Sequence, residues 1–597
     1  IYDNPEIIFE HFLLVNQCPD LKVRRYILLK LPTLIKEHLL SFPIDKIKLI
    51  EETLLQLIQI EKDISCRYFL CDSLISLIAK FLKHVISQNE SIDILNMFNS
   101  SFSFGNELLK SEEMLSTGLS LWQDLFPLFQ ESAKRLTSEE NPDLVSTLAF
   151  TLLQISSNSL TSPNLENRIQ SLKLIDTLIS YFSSTEIEYS ESHLGIISNF
   201  FGLLLGEFNQ VTNPAITNSS ELTFCCSLIS SLISELLDFV QIEHLCLFLE
   251  AAISILANFQ LPIEIRLIVH IILESSSDLI VLNEQFRNQI GNIIGFSIHL
   301  AIEMCMADRN DNNYEFAYPF FYSLSDSYND SESNGNFIFE LFLNCSLTIS
   351  SGNVEYDPSI GRQISLFVIK SIIESLQEIV SKRINDIVPF ISTLSDVNDQ
   401  YVLNSACSTI EEVFEFVPTA ASKYIDEITQ FLVRYISFPL SIPTLDSIFY
   451  RSDRPPSDFE TLLKGLASMI TDQNSSEIIE IVLSCISSLF SRYPTTEETV
   501  LASFLPIINQ MMEARPELHS AILDFFGRII NVAPLTIKSE LETLVNFAIQ
   551  TFSLNNNQYS ISAAACLRSI GKVFPISFQP FLSESVSPLI SIFLHEN

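Results

Sequence analysis

The sequence predicts an all-α chain of stacked helical hairpins, and three observations carry that prediction. First, a short pattern ending in arginine recurs as Leu21-x-x-Arg24, Ile64-x-x-Arg67, Leu165-x-x-Arg168 and Ile263-x-x-Arg266. Each copy follows a turn signal (Pro19-Asp20, Asp63, Pro163-Asn164, Pro262) and precedes an apolar stripe at helical spacing. Second, these arginines lie 43, 101 and 98 positions apart, close to one, two and two units of about 40–50 residues, a period of helical repeat arrays. Third, glycine is rare, 13 in 597 residues, whereas strand-rich folds with tight turns use more of it, and no convincing strand alternation is present.

A chain of this length exceeds one ordinary core. A repeat array resolves the difficulty, because each unit packs only on its neighbours. The expected architecture is therefore an α-α superhelix of the HEAT/ARM solenoid type with about 13 repeats. The first unit spans Pro5 to Phe42, with Ile7, Ile8, Phe12 and Val15 on one stripe and Val23, Ile27, Leu31, Leu34 and Ile35 on the next. Pro32 predicts a kink or restart there. In the second unit Ile47, Ile50, Leu54, Leu57 and Ile58 line one helix, Glu61-Lys62-Asp63 turns the chain, and Leu70, Leu74, Leu77, Ile78 and Phe81 line the other. Hairpins follow at about 107–135, 142–182, 190–240 and 243–283, separated by Ser/Asn-rich loops. Residues 306–336 are acidic and aromatic, and read as a long loop inserted between 1–305 and 337–597. Hairpins resume at about 337–381, 383–418 and 420–450, break at Arg451–Pro456, and continue over 458–492, 497–532 and 538–595. Gln400-Tyr401 leading to Ala406-Cys407 resembles Gln558-Tyr559 leading to Ala565-Cys566, where small residues let helices approach closely.

Apolar residues make up 47% and charged residues 18%, which excludes wholesale disorder. Lys and Arg number 34 against 72 Asp and Glu, a net charge of −38. Such a chain is poorly matched to nucleic acid or an anionic membrane. It is matched to a basic protein partner, for which a negative field also steers encounter. The uncharged run from Asn288 to Ile302 is too short to span a bilayer, so a soluble intracellular protein is expected. The 11 cysteines are odd in number and lack C-x-x-C spacing, and several (Cys71, Cys246, Cys407, Cys485 and Cys566) sit in apolar helical runs. They read as structural thiols in a reducing compartment.

Motifs for chemistry are missing. There is no phosphate loop, no dinucleotide fingerprint and no H-E-x-x-H, so neither a cofactor nor a metal is expected. Acidic neighbours such as Glu51-Glu52 and Glu411-Glu412 point about 100° apart on a helix and read as solvated faces; no catalytic residue is assigned. Gly202/Gly206 and Gly291/Gly295 read as close helix contacts. Arg24, Arg67, Arg168 and Arg266 are assigned to a structural ladder, each guanidinium reaching an acid or carbonyl of the adjoining repeat. Among 45 phenylalanines most are core, while a minority can border shallow inter-helix pockets.

The run Arg24-Arg25-Tyr26-Ile27-Leu28-Leu29-Lys30, then Ile47 to Ile60, then Glu61, Arg67, Cys71, Asp72, Leu77 and Ala79 resembles the N-terminal repeats of importin-beta superfamily carriers, nearest the beta-3 branch. Ile263-Glu264-Ile265-Arg266 leading to Leu273-Glu274, and Gly571 leading to Phe578-Gln579-Pro580-Phe581-Leu582, are similar to later repeats of that branch. The likeness extends over the chain as architecture and over about a quarter of it as residue pattern, and family members are much longer. The resemblance implies a monomeric nuclear import receptor that shuttles between cytoplasm and nucleus. Its implied partners are Ran-GTP on the N-terminal repeats, basic cargo such as ribosomal proteins or histones, and Phe-Gly nucleoporins. An exportin of the same superfamily and a HEAT scaffold outside transport are the alternatives. For the cargo site the acidic stretch is assigned, through Asp311, Glu315, Asp326, Asp330 and Glu332.

Overall fold

The structure, a computed structural model, describes residues 18–38, 42–88, 93–136, 142–185, 190–215, 218–235, 241–309, 312–351, 356–394, 399–471, 474–493, 498–552 and 557–582. Among them the regular elements are all helices. The chain divides into two compact units, Ile1–Asn288 and Gln289–Asn597.

In the first unit the helices are α1 (Leu21–His38), α2 (Ile44–Ile60), α3 (Ile64–Gln88), α4 (Asn99–Leu108), α5 (Leu115–Leu136), α6 (Pro142–Ser159), α7 (Leu165–Ser183), α8 (Glu191–Val211), α9 (Ser219–Glu235), α10 (Ile242–Leu256) and α11 (Ile263–Val269). The second helix of each hairpin packs on the second helix of the next, in the order α1, α3, α5, α7, α9 and α11. The second unit contains α12 (Ile290–Ala307), α13 (Tyr318–Ser327), α14 (Glu332–Ser350), α15 (Pro358–Ile373), α16 (Ile384–Leu394), α17 (Gln400–Phe416), α18 (Ile425–Arg434), α19 (Ser441–Arg451), α20 (Phe459–Ser468), α21 (Ser476–Arg492), α22 (Glu498–Ala514), α23 (His519–Val532), α24 (Leu541–Phe552) and α25 (Asn557–Val573). Its second helices form the row α13, α15, α17, α19, α21, α23 and α25. The two rows together hold thirteen second helices, in keeping with the expected repeat number.

Each hairpin buries a stripe at i, i+3, i+4, i+7. On α3, Leu70, Cys71, Leu74, Leu77, Ile78, Phe81 and Val85 are buried. Trp122 on α5 has no exposed surface and packs with Phe102 and Phe129. Close approach occurs where small residues meet. A Cβ added to Gly527 on α23 would lie 3.5 Å from Cys566 Cα, beside Ala565 on α25. Gly361 is tighter: an added Cβ would sit 2.7 Å from the backbone oxygen of Ile349 at the end of α14. Backbone cannot yield as a side chain tip can, so Gly361→Ala is expected to destabilise the second unit by about 1–3 kcal/mol. Urea titration followed by circular dichroism would measure it.

Several expectations are corrected. The described part of 306–336 is not a loop. It forms a 3-10 helix over Asn312–Ala317 and then α13, and Glu332 opens α14 behind an N-cap at Ser331. The aromatic residues explain this: Tyr314, Phe320, Phe321, Leu324 and Tyr328 are buried, an apolar face at helical spacing within an acidic composition. Pro32 neither stops nor restarts α1, which runs through it. Three of the four paired glycines are not contact points: a Cβ on Gly202, Gly206 or Gly295 would meet nothing within 4 Å, whereas one on Gly291 would touch the Leu341 side chain at 3.4 Å. The uncharged run near residue 290 grows into α12, 18 residues long and apolar enough to cross a bilayer by length and composition. Ile290, Ile293, Ile294, Ile298 and Ala301 on it are buried, as in the core helix of a repeat.

Among the described residues, buried serines and threonines are common, but buried charged groups are few. Glu51 on α2 is 2% exposed, and its Oε1 accepts from both the backbone N–H and the hydroxyl of Ser101 on α4. Burial raises its pKa above the ordinary carboxylate value, against the opposing Ser101 hydrogen bonds. The unfolded chain releases this proton at lower pH than the native chain does, so stability falls as pH rises through that window. Glu51→Gln is expected to flatten this pH dependence and to unfold later than wild type at pH 8, while matching it near pH 4, as thermal melts across that range would report. All eleven cysteines are free, and nine are buried.

Candidate protein-interaction site

The four recurring arginines share one local contact. Arg24 Nη1 donates to Cys18 O (2.8 Å), Arg67 Nε to Glu61 O (2.5 Å), Arg168 Nη1 to Ser162 O (2.9 Å) and Arg266 Nε to Leu261 O (3.3 Å). Each guanidinium thus ties its helix to the turn that precedes it, satisfying a carbonyl that no helix takes up. Two reach further. Arg24 Nη2 meets Glu61 Oε1 at 3.3 Å. Arg168 meets Glu207 on α8 and Glu221 on α9. Arg266 instead lies 5.8 Å from the Phe259 ring centroid.

Of the five acidic residues assigned from sequence four are described, and they are spread over the 3-10 helix, α13, the turn after it and the start of α14. Asp311 lies outside the described residues. Glu315 is exposed on the 3-10 helix and Asp326 is exposed on α13. Asp330 accepts from Asn334 Nδ2 at 2.8 Å, and Glu332 pairs with Lys382 Nζ at 2.7 Å, so both already serve the chain internally.

What the second-helix row does bring together is an aromatic and acidic face on α13, α15 and α17. Tyr318 and Tyr322, one turn apart on α13, stack with ring centroids 6.3 Å apart and planes 16° from parallel. Glu374 closes the end of α15, and Glu411, Glu412 and Glu415 lie on α17. Their mutual field is registered in the titrating groups. Burial, then Glu412 and Glu374, push the Tyr318 hydroxyl up to about 12. Burial, then Glu374 and Asp326, raise Tyr322. Glu412 is raised by burial first, with Lys370 opposing and Glu415, Glu374 and Glu411 adding to the rise. Lys370 stands 3.9 Å from Glu412. Arg451 takes Glu415 at 3.2 Å, and Thr444 donates to Glu411. Of the residues assigned from sequence, only Asp326 belongs to this face. The rest was missed because Glu374 and Glu411–Glu415 come from different repeats. The stripe Tyr318, Tyr322, Asp326 at i, i+4, i+8 was the available signal.

Further along the same row, α21 and α23 enclose a cavity of about 200 Å³. Glu480, Ser484, Ser487, Ser520, Asp524 and Arg528 line it. Among the first helices, α12 and α14 leave an apolar hollow of about 300 Å³, lined by Gly295, Ile298, Ile302, Cys345, Ile349 and Tyr356. The open space over Gly295 is part of this hollow. A second hollow of about 200 Å³ lies between α18 and α20, with Val433, Pro456 and Leu462 in its wall.

The first described helix has the opposite charge. α1 carries Lys22, Arg24, Arg25, Lys30 and Lys36 against Glu37 alone. Tyr26 and Leu29 on it are 66% and 52% exposed. Among the described residues no group of three or more His, Cys, Asp or Glu is placed to hold a metal ion.

No protein-family model matches the sequence, and no curated protein matches it. Solved structures do. The crystal structure of the karyopherin Kap121p bound to the SUMO protease Ulp1p aligns with a TM-score of 0.69 over 98% of this chain and 55% of that one, at 11% identity. Kap121p bound to Nup53p aligns with a TM-score of 0.69 over 99% of this chain and 55% of that one, at 11% identity. Kap121p bound to RanGTP gives 0.67 over 98% and 59%, at 12% identity. The fold is that of the karyopherin solenoids. The chain spans a little over half the length of the karyopherin chains it matches. At this identity it is the backbone architecture that is shared, and residue roles rest on the geometry above.

Proposed function

We propose that this chain is the cargo- and GTPase-binding part of a nuclear import receptor. The observation that carries the reading is the face of Tyr318, Tyr322, Asp326, Glu374 and Glu412 on a karyopherin-type solenoid whose net charge is −38. A lysine or arginine side chain suits such a face. Its aliphatic stem lies along the tyrosine rings and its head meets the carboxylates, with a cation–π contribution of about 0.5–2 kcal/mol per good contact. The cavity of Glu480 and Asp524 offers a further position for a cation on the same row. The client is then a basic segment of a protein such as a ribosomal protein or histone.

In this reading α1 and its neighbours receive the GTP-bound form of a Ran-type GTPase, supported by the basic, aromatic surface of Lys22, Tyr26, Leu29 and Lys30. The hollows between first helices receive phenylalanines of Phe-Gly nucleoporins, supported by their size and apolar walls. The receptor acts as a monomer, without cofactor or catalysis, and shuttles between cytoplasm and nucleus. Client and GTPase are coupled negatively on this chain, each weakening the binding of the other.

The test is a pull-down with the immobilised chain and Ran loaded with GTP or GDP. Selective retention of the GTP form supports the reading. Equal retention of both forms, or of neither, removes the GTPase from it.

A further inference from the structure

The first unit contains a buried charge group that the proposed binding surfaces do not use. Arg168 on α7 meets two carboxylates, one from each helix of the next hairpin. Its Nε lies 3.1 Å from Glu207 Oε1 on α8 and 2.5 Å from Glu221 Oε1 on α9. Its Nη2 donates to Glu221 Oε2 at 3.0 Å, and its Nη1 holds Ser162 O at 2.9 Å. Glu207 and Glu221 are 3% and 2% exposed, and Arg168 is 9% exposed.

One guanidinium cannot neutralise two carboxylates. Two carboxylates against one another in a buried site do not both ionise at ordinary pH, because an uncompensated buried charge is costly. One proton completes the group: guanidinium, one carboxylate and one carboxylic acid sum to zero. The two carboxylates share it. Burial, then the hydrogen bond and charge of Glu221, outweigh Arg168 and raise Glu207 to about 8. Among the described residues no second cation pairs with either carboxylate. Cys225 on α9 faces both carboxylates and is kept a neutral thiol by burial. Glu166, half a turn before Arg168, accepts from Tyr68 and Gln170. On α10, packed against α8, His244 stacks on Phe201 with ring centroids 5.2 Å apart. Glu274, beyond α11, is raised by its own burial. Among the described residues, the ion pairs of Glu207 and Glu221 are with Arg168 alone.

We propose that Arg168, Glu207 and Glu221 form a proton-dependent joint between the α6–α7 and α8–α9 hairpins, closed while one proton is shared by the two carboxylates and loosened when that proton leaves to solvent. The sign follows from linkage. The proton is bound more tightly in the closed joint than in the opened one, so closure is most favoured at low pH. It weakens as pH rises from the ordinary carboxylate range towards about 8, and is level above that. Repeats couple only to their neighbours, so the loosening stays in these hairpins.

Hydrogen exchange by mass spectrometry on the full chain tests this, with labelling times scaled for the intrinsic pH dependence of exchange. Peptides over Glu191–Glu235 should lose protection by at least about tenfold between pH 6 and pH 8.5, the response expected of one proton whose affinity differs by a unit or more. Peptides over Gln400–Phe416 should not. Glu207→Gln, which keeps the shape of the protonated acid, should make the protection of Glu191–Glu235 independent of pH. Should Glu207→Gln fold poorly, infrared difference spectra of the wild-type chain give a separate reading. A carboxylic acid carbonyl band present at pH 6.5 and lost by pH 9 supports the joint. A pH-independent protection pattern in wild type, or the absence of that band, overturns it.

Discussion

Replacing Arg168 with leucine is expected to be the most damaging single change in the first unit, costing about 3–5 kcal/mol. The substitution removes the cation that, among the described residues, pairs with Glu207 and Glu221, which are buried against it. It also frees the carbonyl of Ser162. The remaining carboxylates can escape only by taking up protons, so the loss should shrink towards pH 5 and deepen towards pH 8. A companion triple variant, Arg168→Leu with Glu207→Gln and Glu221→Gln, should recover much of the loss, because breaking a buried pair costs more than removing all of it. In a long repeat array one unit can unfold before another. The effect is therefore read as the lowest transition in calorimetry. A midpoint within error of wild type at pH 7.5 would mean that the three side chains do not meet.

The second large effect concerns binding. Glu374→Lys combined with Glu412→Lys reverses two charges on the face of α13, α15 and α17, beside Lys370. Affinity for a lysine-rich peptide is expected to fall by about a hundredfold, roughly 2.7 kcal/mol, since like charges at an interface cost several kcal/mol. Both residues are only partly exposed, so circular dichroism must first show that the variant keeps its helices. Asp330→Lys with Glu332→Lys is the control. Those carboxylates already answer to Asn334 and Lys382, and their loss should change affinity less than threefold. Equal losses in both variants, read by fluorescence anisotropy, would indicate that net charge alone governs binding and that no particular face does.

The two rows of helices were legible because they depend on local pattern. The apolar stripes of α2 and α3, the arginine behind each turn, and the break after Arg451 are all properties of short windows. The arginine contacts show both the reach and the limit of such reading. The carbonyl five or six residues earlier lies within the window. The second carboxylate on Arg168 comes from a residue 53 positions away, and only the folded stack supplies it. The misreading of 306–336 has a related cause. Composition pointed to a loop, yet Tyr314, Phe320, Phe321 and Leu324 outweigh the acids, because burial of four such side chains exceeds the cost of placing Asp326 and Glu315 on the wet side. The interaction face was hidden for the same reason as the joint. Glu374, Glu412 and Tyr318 belong to three successive second helices, and single carboxylates on helices have no signature in sequence.

On the proposed function, a basic client and a GTP-bound GTPase compete for this chain. The most direct measurement is the affinity of a fluorescein-labelled lysine-rich peptide for the chain, alone, with Ran-GTP and with Ran-GDP. The account predicts that saturating Ran-GTP weakens the peptide by at least about tenfold, a coupling of 1–3 kcal/mol, while Ran-GDP leaves it unchanged. Peptide affinity that is unaltered by Ran-GTP, or strengthened by it, would contradict the account.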